Sequence, residues 1–269
     1  MRIHEHAQLA RSDMTQPNIA RMYDYVLGGS ANVAADRHAA DQLLAAAPGN
    51  TGWARIVRAF LGRGVRELAA RGVDQFLDLG SGLPTRGNVH EVARSVTSSA
   101  RVAYVDVDPV AAHHARRLLG DDPHTTVTQA DVREPQQVLT APGVAGLLDF
   151  TRPVAVIAVA ILDLLDTEDP GALVATYRQA CVPGSALVLS HSAQLPTADT
   201  GWSAARSVLD TMTTSHVRIR DRDQISAMLD GYDLLEPGLV PSAVWRPEAL
   251  VPAEEAAASN SFGAVGLRR

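Results

Sequence analysis

The chain has 269 residues, 46% of them hydrophobic and 20% charged, with a formal net charge of -6. That length and composition suit one α/β domain with appendages and exclude a disordered chain. The acidic balance gives no electrostatic reason to bind nucleic acid or an anionic membrane. The chain contains no lysine, so Schiff-base chemistry and a P-loop both lack the amine they need. Cys181 is the single cysteine, which excludes an internal disulfide and a cysteine-based zinc site. The N-terminus MRIHEHAQLARSDMTQP has no apolar signal segment, and no stretch is long and apolar enough to span a bilayer. The expected compartment is therefore the cytoplasm.

In chain order, residues 1–16 read as a flexible polar arm and 17–70 as helical. Pro17 suits a first helical turn, Ile19, Met22, Tyr23, Val26 and Leu27 share one apolar face, and Gly28 and Gly29 stop the helix. A second helix is predicted near 36–46. A third spans 51–71, where Trp53, Ile56, Val57, Phe60, Leu61, Val65 and Leu68 recur at helical spacing. The pattern then changes. QFLDL (75–79), RVAYVD (101–106), TTVTQA (125–130), PVAVIAVA (153–160) and SALVLSH (185–191) read as strands, separated by amphipathic segments at 87–97, 109–119, 134–142 and 170–181. Strands alternating with helices indicate a doubly wound, mostly parallel sheet, and PVAVIAVA is apolar on both faces, as a covered central strand should be. Beyond it, 203–214 and 221–230 read as helical, 232–245 as extended, and 251–261 as a solvated linker.

The stretch D78-L-G80-S-G82 follows the first strand, where an open parallel sheet places its ligand. The third glycine of the dinucleotide fingerprint is missing, and Asp78 is awkward beside a pyrophosphate because like charges repel. A ligand with cationic groups and no phosphate, such as S-adenosylmethionine (SAM), suits Asp78, Gly80, Ser81 and Gly82 better than NAD does. The plainer reading is a strand-to-helix turn with Asp78 capping nearby amides, and both stand at this point. Asp106 ends the second strand, where such sheets hold ribose hydroxyls. Asp108, before Pro109, reads as a helix N-cap. Asp131 ends the third strand, placed to accept from an adenine amino group with Val132 against the ring. His113 and His114 are adjacent, point to different helix faces and make no metal pair; no metal site is expected.

With these residues, the chain resembles a family of actinobacterial SAM-dependent methyltransferases of undefined substrate. The resemblance is carried by PNIARMYDYVLGGSANVAADR (17–37), FLDLGSGLPTRGNVHEVAR (76–94), VAYVDVDPVAAHHAR (102–116), ADVREP (130–135), LDFTRPVAVIAVAILDLL (148–165), PGSALVLSH (183–191) and LLEPGLVPSAVWRP (234–247). It implies a class I methyltransferase fold: an α/β, doubly wound, seven-stranded sheet with the last strand, SFGAVGLRR (261–269), antiparallel. It makes 17–72 an N-terminal helical cap and 73–269 a Rossmann-like SAM-binding domain, and sets Tyr23, Gly29, Asn32, Asn88, Val107 and Ala160 around the cofactor. Relatives carry Leu-His-Phe after the fourth strand; this chain has Leu162-Asp163-Leu164.

The function so implied is methyl transfer from SAM to a small-molecule acceptor, such as a secondary metabolite, with neither the acceptor nor the oligomeric state legible. Tyr23, Asp163 and His191 are the candidate catalytic residues. Each has a plainer reading, as cap packing, a loop cap and a satisfied loop histidine respectively. The rival functions are a SAM-binding protein without methyl transfer, raised by Asp163, and an NAD-dependent oxidoreductase.

Overall fold

The computed structural model describes residues 15–48, 52–83, 87–193, 195, 202–213 and 216–269. The expected arm up to residue 14, and Pro84 and Thr85 of the glycine-turn motif, lie outside the described residues. The strands are β1 (Gln75–Leu79), β2 (Arg101–Asp106), β3 (Thr125–Gln129), β4 (Ala155–Val159), β5 (Ala186–Ser192), β6 (Tyr232–Leu234), β7 (Val240–Pro241) and β8 (Ser261–Arg268). They form one sheet in the order β3-β2-β1-β4-β5-β8-β6, with β7 also on β8. Strands β1 to β5 are parallel, and β8 runs antiparallel to its neighbours.

The sheet thus has eight strands where seven were expected. The extra one arises because 232–245 is not continuously extended. β6 pairs with the end of β8 at Gly266–Arg268, the chain turns through Gly238, and β7 pairs again at Phe262 and Gly263. The tract 251–261 is also not a plain linker: it contains the helix Ala253–Ala258, whose sequence AEEAAA consists of strong helix formers.

Strands β1, β2, β4 and β5 each divide their apolar residues between two cores by the period of two. Leu77, Leu79, Val105, Val156, Ala158, Leu187 and Leu189 enter one core, and Phe76, Val102, Tyr104, Ile157 and Val188 the other. The helices are α1 (Ile19–Val26), α2 (Ala34–Ala46), α3 (Trp53–Ala70), α4 (Val89–Arg94), α5 (Pro109–Leu119), α6 (Pro135–Thr140), α7 (Pro142–Ala145), α8 (Pro170–Ala180), α9 (Trp202–Met212), α10 (Arg222–Ala227) and α11 (Ala253–Ala258). Within the expected 134–142 segment the helix ends at Thr140, and Pro142, whose ring cannot continue the preceding turn, opens a second short helix. Pro17 lies outside α1, whose N-cap is Asn18. Asp108 caps α5, accepting from the Val110 N–H at 2.7 Å, with Pro109 in the first turn.

The three N-terminal helices divide by what they cover. α3 lies on the sheet. Its Phe60, Val65 and Leu68 are fully buried with Phe76 and Val188, each worth on the order of 2 kcal/mol. A Cβ at Gly64 would stand 2.9 Å from Val188, so this helix approaches the strands closely only because glycine is there. α1 and α2 instead pack on each other, and α2 packs on α9, through a separate cluster of Met22, Ala39, Ala40, Leu209 and Val217. This pair is held by a buried ion pair, Arg21 to Asp36 at 2.7 Å, and by the Asn18 N–H donating to Asp36 at 2.9 Å. Asn18 Nδ2 also donates to Asp108 Oδ2 at 2.6 Å, tying the pair to the loop after β2. No helix among the described residues is long and apolar enough to cross a membrane.

Candidate active site

β1 and β4 are neighbours, while the chain winds outward to β2 and β3 on one side and to β5 on the other. Ligands of such sheets sit at this reversal, past the carboxyl ends of the strands. The turn after β1 and the loop after β4 meet there. Gly80 and Gly82 have φ of +67° and +61°, a region that side chains with a Cβ seldom enter. A Cβ at Gly80 would also lie 2.4 Å from the Ile161 side chain. The Gly80 and Ser81 N–H groups donate to the Val105 carbonyl at 2.8 and 3.0 Å, which locks the turn onto β2.

Asp106 holds the other side of the turn. Its Oδ2 accepts from the Gly82 N–H at 2.7 Å and its Oδ1 from the Asp108 N–H at 2.9 Å. A carboxylate has lone pairs left after two such bonds, so Asp106 can still accept from a ligand. Burial raises its pKa, against the pull of these backbone donors. Burial also pushes Asp78 up to about 7; Arg58 opposes that shift and the charge of Asp106 adds to it.

Arg58 is the residue the sequence reading missed. Its guanidinium carbon lies 5.7 Å from the centroid of the Tyr23 ring. Its Nε is buried without a hydrogen-bond partner among the described residues. A buried, unpaired donor on a cation is costly, so Arg58 is suited to an anionic group of a ligand. The signal was available: Arg58 is spaced with Ala54, Leu61 and Val65 on the buried stripe of α3.

Two cavities adjoin at Gly80, Ile161 and Leu164, which line both. The first, about 240 Å³, is bordered by Tyr23, Asp78, Gly80, Ser81, Gly82, Asp106, Ala160 and Asp163, together with Arg58 and Ser192. The second, about 320 Å³, is bordered by Val107, Asp131, Val132 and Arg133. Together they are of the size that holds small ligands, roughly 300–1,000 Å³.

Within the first cavity, the Tyr23 hydroxyl donates to the Ala54 carbonyl at 3.0 Å, its ring packs edge-on against Trp53, and burial pushes its pKa up to about 12. Ala160 has φ of +54°, a strained value for a residue with a Cβ, and its N–H donates to the Ser190 hydroxyl at 3.0 Å. Asp163 is 2% exposed. Its Oδ2 accepts from the Ser192 hydroxyl, and its Oδ1 has no partner among the described residues.

Within the second cavity, Val107 is 60% exposed while Val132 is buried. The Tyr177 hydroxyl fixes the Val132 carbonyl at 2.8 Å. Asp131 is paired with Arg133, whose Nε stands 3.0 Å from both carboxylate oxygens. That pairing holds the Asp131 pKa low.

Four expected residues border neither cavity. Asn32 donates to Asp24 at 2.8 Å and to the Gly29 carbonyl at 3.0 Å, so Asn32 and Gly29 together build the turn after α1. Asn88 is buried at the start of α4, its N–H donating to Glu91 at 2.9 Å. His191 is enclosed: Nδ1 donates to the Ser192 carbonyl at 2.8 Å, and Nε2 accepts from Arg220 at 2.7 Å. Burial lowers its pKa and keeps it neutral. The strand residue that borders the cavity is Ser192, one position on.

A family model described as S-adenosyl methyltransferase matches residues 5–269. Among solved structures, the chain is 38% identical to a candidate methyltransferase from Thermobifida fusca YX, with a TM-score of 0.88, covering 95% of this chain and 96% of that one. It is 32% identical to a DUF574 family protein from Streptomyces avermitilis MA-4680, with a TM-score of 0.89, covering 96% and 99%. No curated protein matches the chain. A match over nearly the whole length, on a doubly wound sheet with its last strand reversed, settles the family: the chain belongs to the S-adenosyl methyltransferases, as a SAM-dependent enzyme of class I fold.

Proposed function

We propose that this enzyme methylates a small-molecule acceptor held between the α1–α2 pair and the sheet, with SAM lying across both cavities. The observation that carries the reading is the pairing of a charged end with an apolar one in the first cavity, next to the second cavity at Gly80. The residues present fit the cofactor. Gly80 leaves room that a Cβ would fill against Ile161. Asp78 and Arg58 supply opposite charges for the ammonium and carboxylate of the methionine end. Asp106 would accept the ribose hydroxyls. Val107 and Val132 would cover the adenine, with Asp131 at its amino edge. Asp131 must share its carboxylate with Arg133, which is half-exposed.

When bound, SAM supplies an electrophilic methyl group on a sulfonium; the protein supplies alignment and exclusion of water. Tyr23, with its hydroxyl engaged by Ala54, serves as a wall of the pocket. Asp163 Oδ1 is the open acceptor for a proton on the acceptor molecule. His191 is a positioning residue that keeps Arg220 close to Asp163. Gly29, Asn32 and Asn88 shape the turns that present these groups.

The test is a calorimetric titration with SAM, S-adenosylhomocysteine and NAD in parallel, supported by thermal unfolding. Binding of the two adenosyl ligands is expected, and at about 100 times Kd it should stabilise the fold by roughly 2.7 kcal/mol, a shift of several degrees. Binding of NAD alone would sink the proposal. Binding of SAM with no turnover on any acceptor would favour the reading as a binding protein.

A further inference from the structure

The acceptor end of the first cavity has a composition of its own. Met22 and Leu43 come from α1 and α2, Ala205 and Leu209 from α9, and Leu164 and Val217 from the segments after β4 and after α9. All six are apolar. Amid them stands one charged group, Asp163, 2% exposed and with Oδ1 unpartnered. Its other oxygen is already satisfied by Ser192, from both the hydroxyl and the backbone N–H at 3.3 Å. Arg220 lies close enough to feel the charge of Asp163, yet its guanidinium is turned to His191 and leaves Oδ1 open.

A buried carboxylate oxygen without a donor is a rare and costly arrangement. It is explicable where a ligand brings the donor. A carboxylate oxygen is an acceptor site, so the partner that satisfies Oδ1 must carry O–H or N–H. A ligand carboxylate or phosphate is repelled there. The apolar walls offer nothing to a polyhydroxylated or multiply charged frame, which would lose its hydration without compensation.

We infer that the acceptor is an apolar molecule with one hydroxyl or amine, whose hydrogen is held by Asp163 Oδ1 while its frame packs between α2 and α9. This rests on the proposed function, since it takes the Asp78 side of the same cavity for the cofactor. It defines the acceptor by chemistry: an alcohol, a phenol or an amine on a hydrocarbon frame of modest size, and not an acid, a sugar or a nucleotide. Asp163 is then the specificity-determining residue of this pocket.

The test uses protein saturated with S-adenosylhomocysteine. Matched fragments are compared by ligand-observed NMR: phenyl and cyclohexyl frames carrying in turn a hydroxyl, an amine, a carboxylate or a methyl group. The hydroxyl or the amine series is expected to bind at least tenfold more tightly than the methyl series, with the carboxylates weakest. The two donor arms separate an alcohol site from an amine site. In Asp163→Ala, that preference should disappear while the methyl analogues bind as before or better. Preference for carboxylates, equal binding of donors and methyl analogues, no binding of any fragment, or a preference that survives in Asp163→Ala would overturn the inference. Should the variant not fold, the wild-type comparison of donors against methyl analogues decides alone. Failure of S-adenosylhomocysteine to saturate the protein would instead strike the proposed function, so the two failures are distinguishable.

Discussion

The two ends of the first cavity are built on different principles. At the Asp106 end, the ligand-facing groups hang on strand ends and are fixed by backbone bonds: Gly82 and Asp108 to Asp106, Gly80 and Ser81 to Val105. At the Asp163 end, the walls come from α1, α2, α9 and two loops, joined by side-chain packing and by the buried Arg21–Asp36 ion pair between α1 and α2. The first arrangement fixes polar geometry closely and suits an invariant ligand. The second can change its shape by substitution without touching the sheet. A methyltransferase that keeps one cofactor and varies its acceptor needs that division.

The contrast can be broken at its polar end first. Asp106→Ala should weaken SAM binding at least about 100-fold, since two charge-assisted bonds of about 1.5–3 kcal/mol each are removed; calorimetry on a variant with unchanged circular dichroism checks this. Unchanged affinity would remove Asp106 from the ribose. Arg58→Met should cost less, roughly thirtyfold, for one charged contact of about 2 kcal/mol. The same variant should bind decarboxylated SAM no worse than wild type does, which separates the carboxylate contact from a general loss of packing.

A smaller effect concerns pH. In the ligand-free protein, Asp78 has its pKa raised from the ordinary 3.8 to about 7. Folding therefore favours its protonated form. The stabilisation is full below the unfolded pKa and is lost as pH rises through about 7. A ligand ammonium favours the ionised form, so binding should release a proton below pH 7. Affinity for SAM should rise about tenfold between pH 6 and pH 8. Asp78→Asn should flatten that rise, and a profile equally steep in the variant would assign the proton elsewhere. The smallest change is expected at the apolar end: Asp163→Ala should leave SAM affinity within about twofold by titration. A large loss would move Asp163 to the cofactor side and erase the contrast.

Legibility followed the same division. The polar end could be read because its parts are local: a strand, a Gly-x-Gly turn, and an acid at each following strand end. Asp78 and Asp106 border the first cavity and Asp131 the second. The acceptor end is assembled from residues 19–44, 161–164, 192 and 205–217, and no spacing within one segment announces it. β5 shows why parity was hidden. All seven of its residues are buried, so no polar–apolar alternation told His191 from Ser192. The helix at 253–258 was obscured by its polar composition, although AEEAAA has high intrinsic helix propensity. Arg58 stands out only against its helix: a charge on the apolar stripe of Ala54, Leu61 and Val65 is the signal, and the apolar residues around it mask it.

In the proposed function one ligand crosses both cavities, with its nucleoside at Asp106 and its amino-acid end at Asp78 and Arg58. A crystal structure with S-adenosylhomocysteine tests it most directly. The account predicts ribose hydroxyls on Asp106, adenine between Val107 and Val132, the ligand carboxylate on Arg58, and open space beyond the sulfur toward Asp163. A nucleoside seated elsewhere, or a methionine end turned toward Leu209 and Val217, would contradict it.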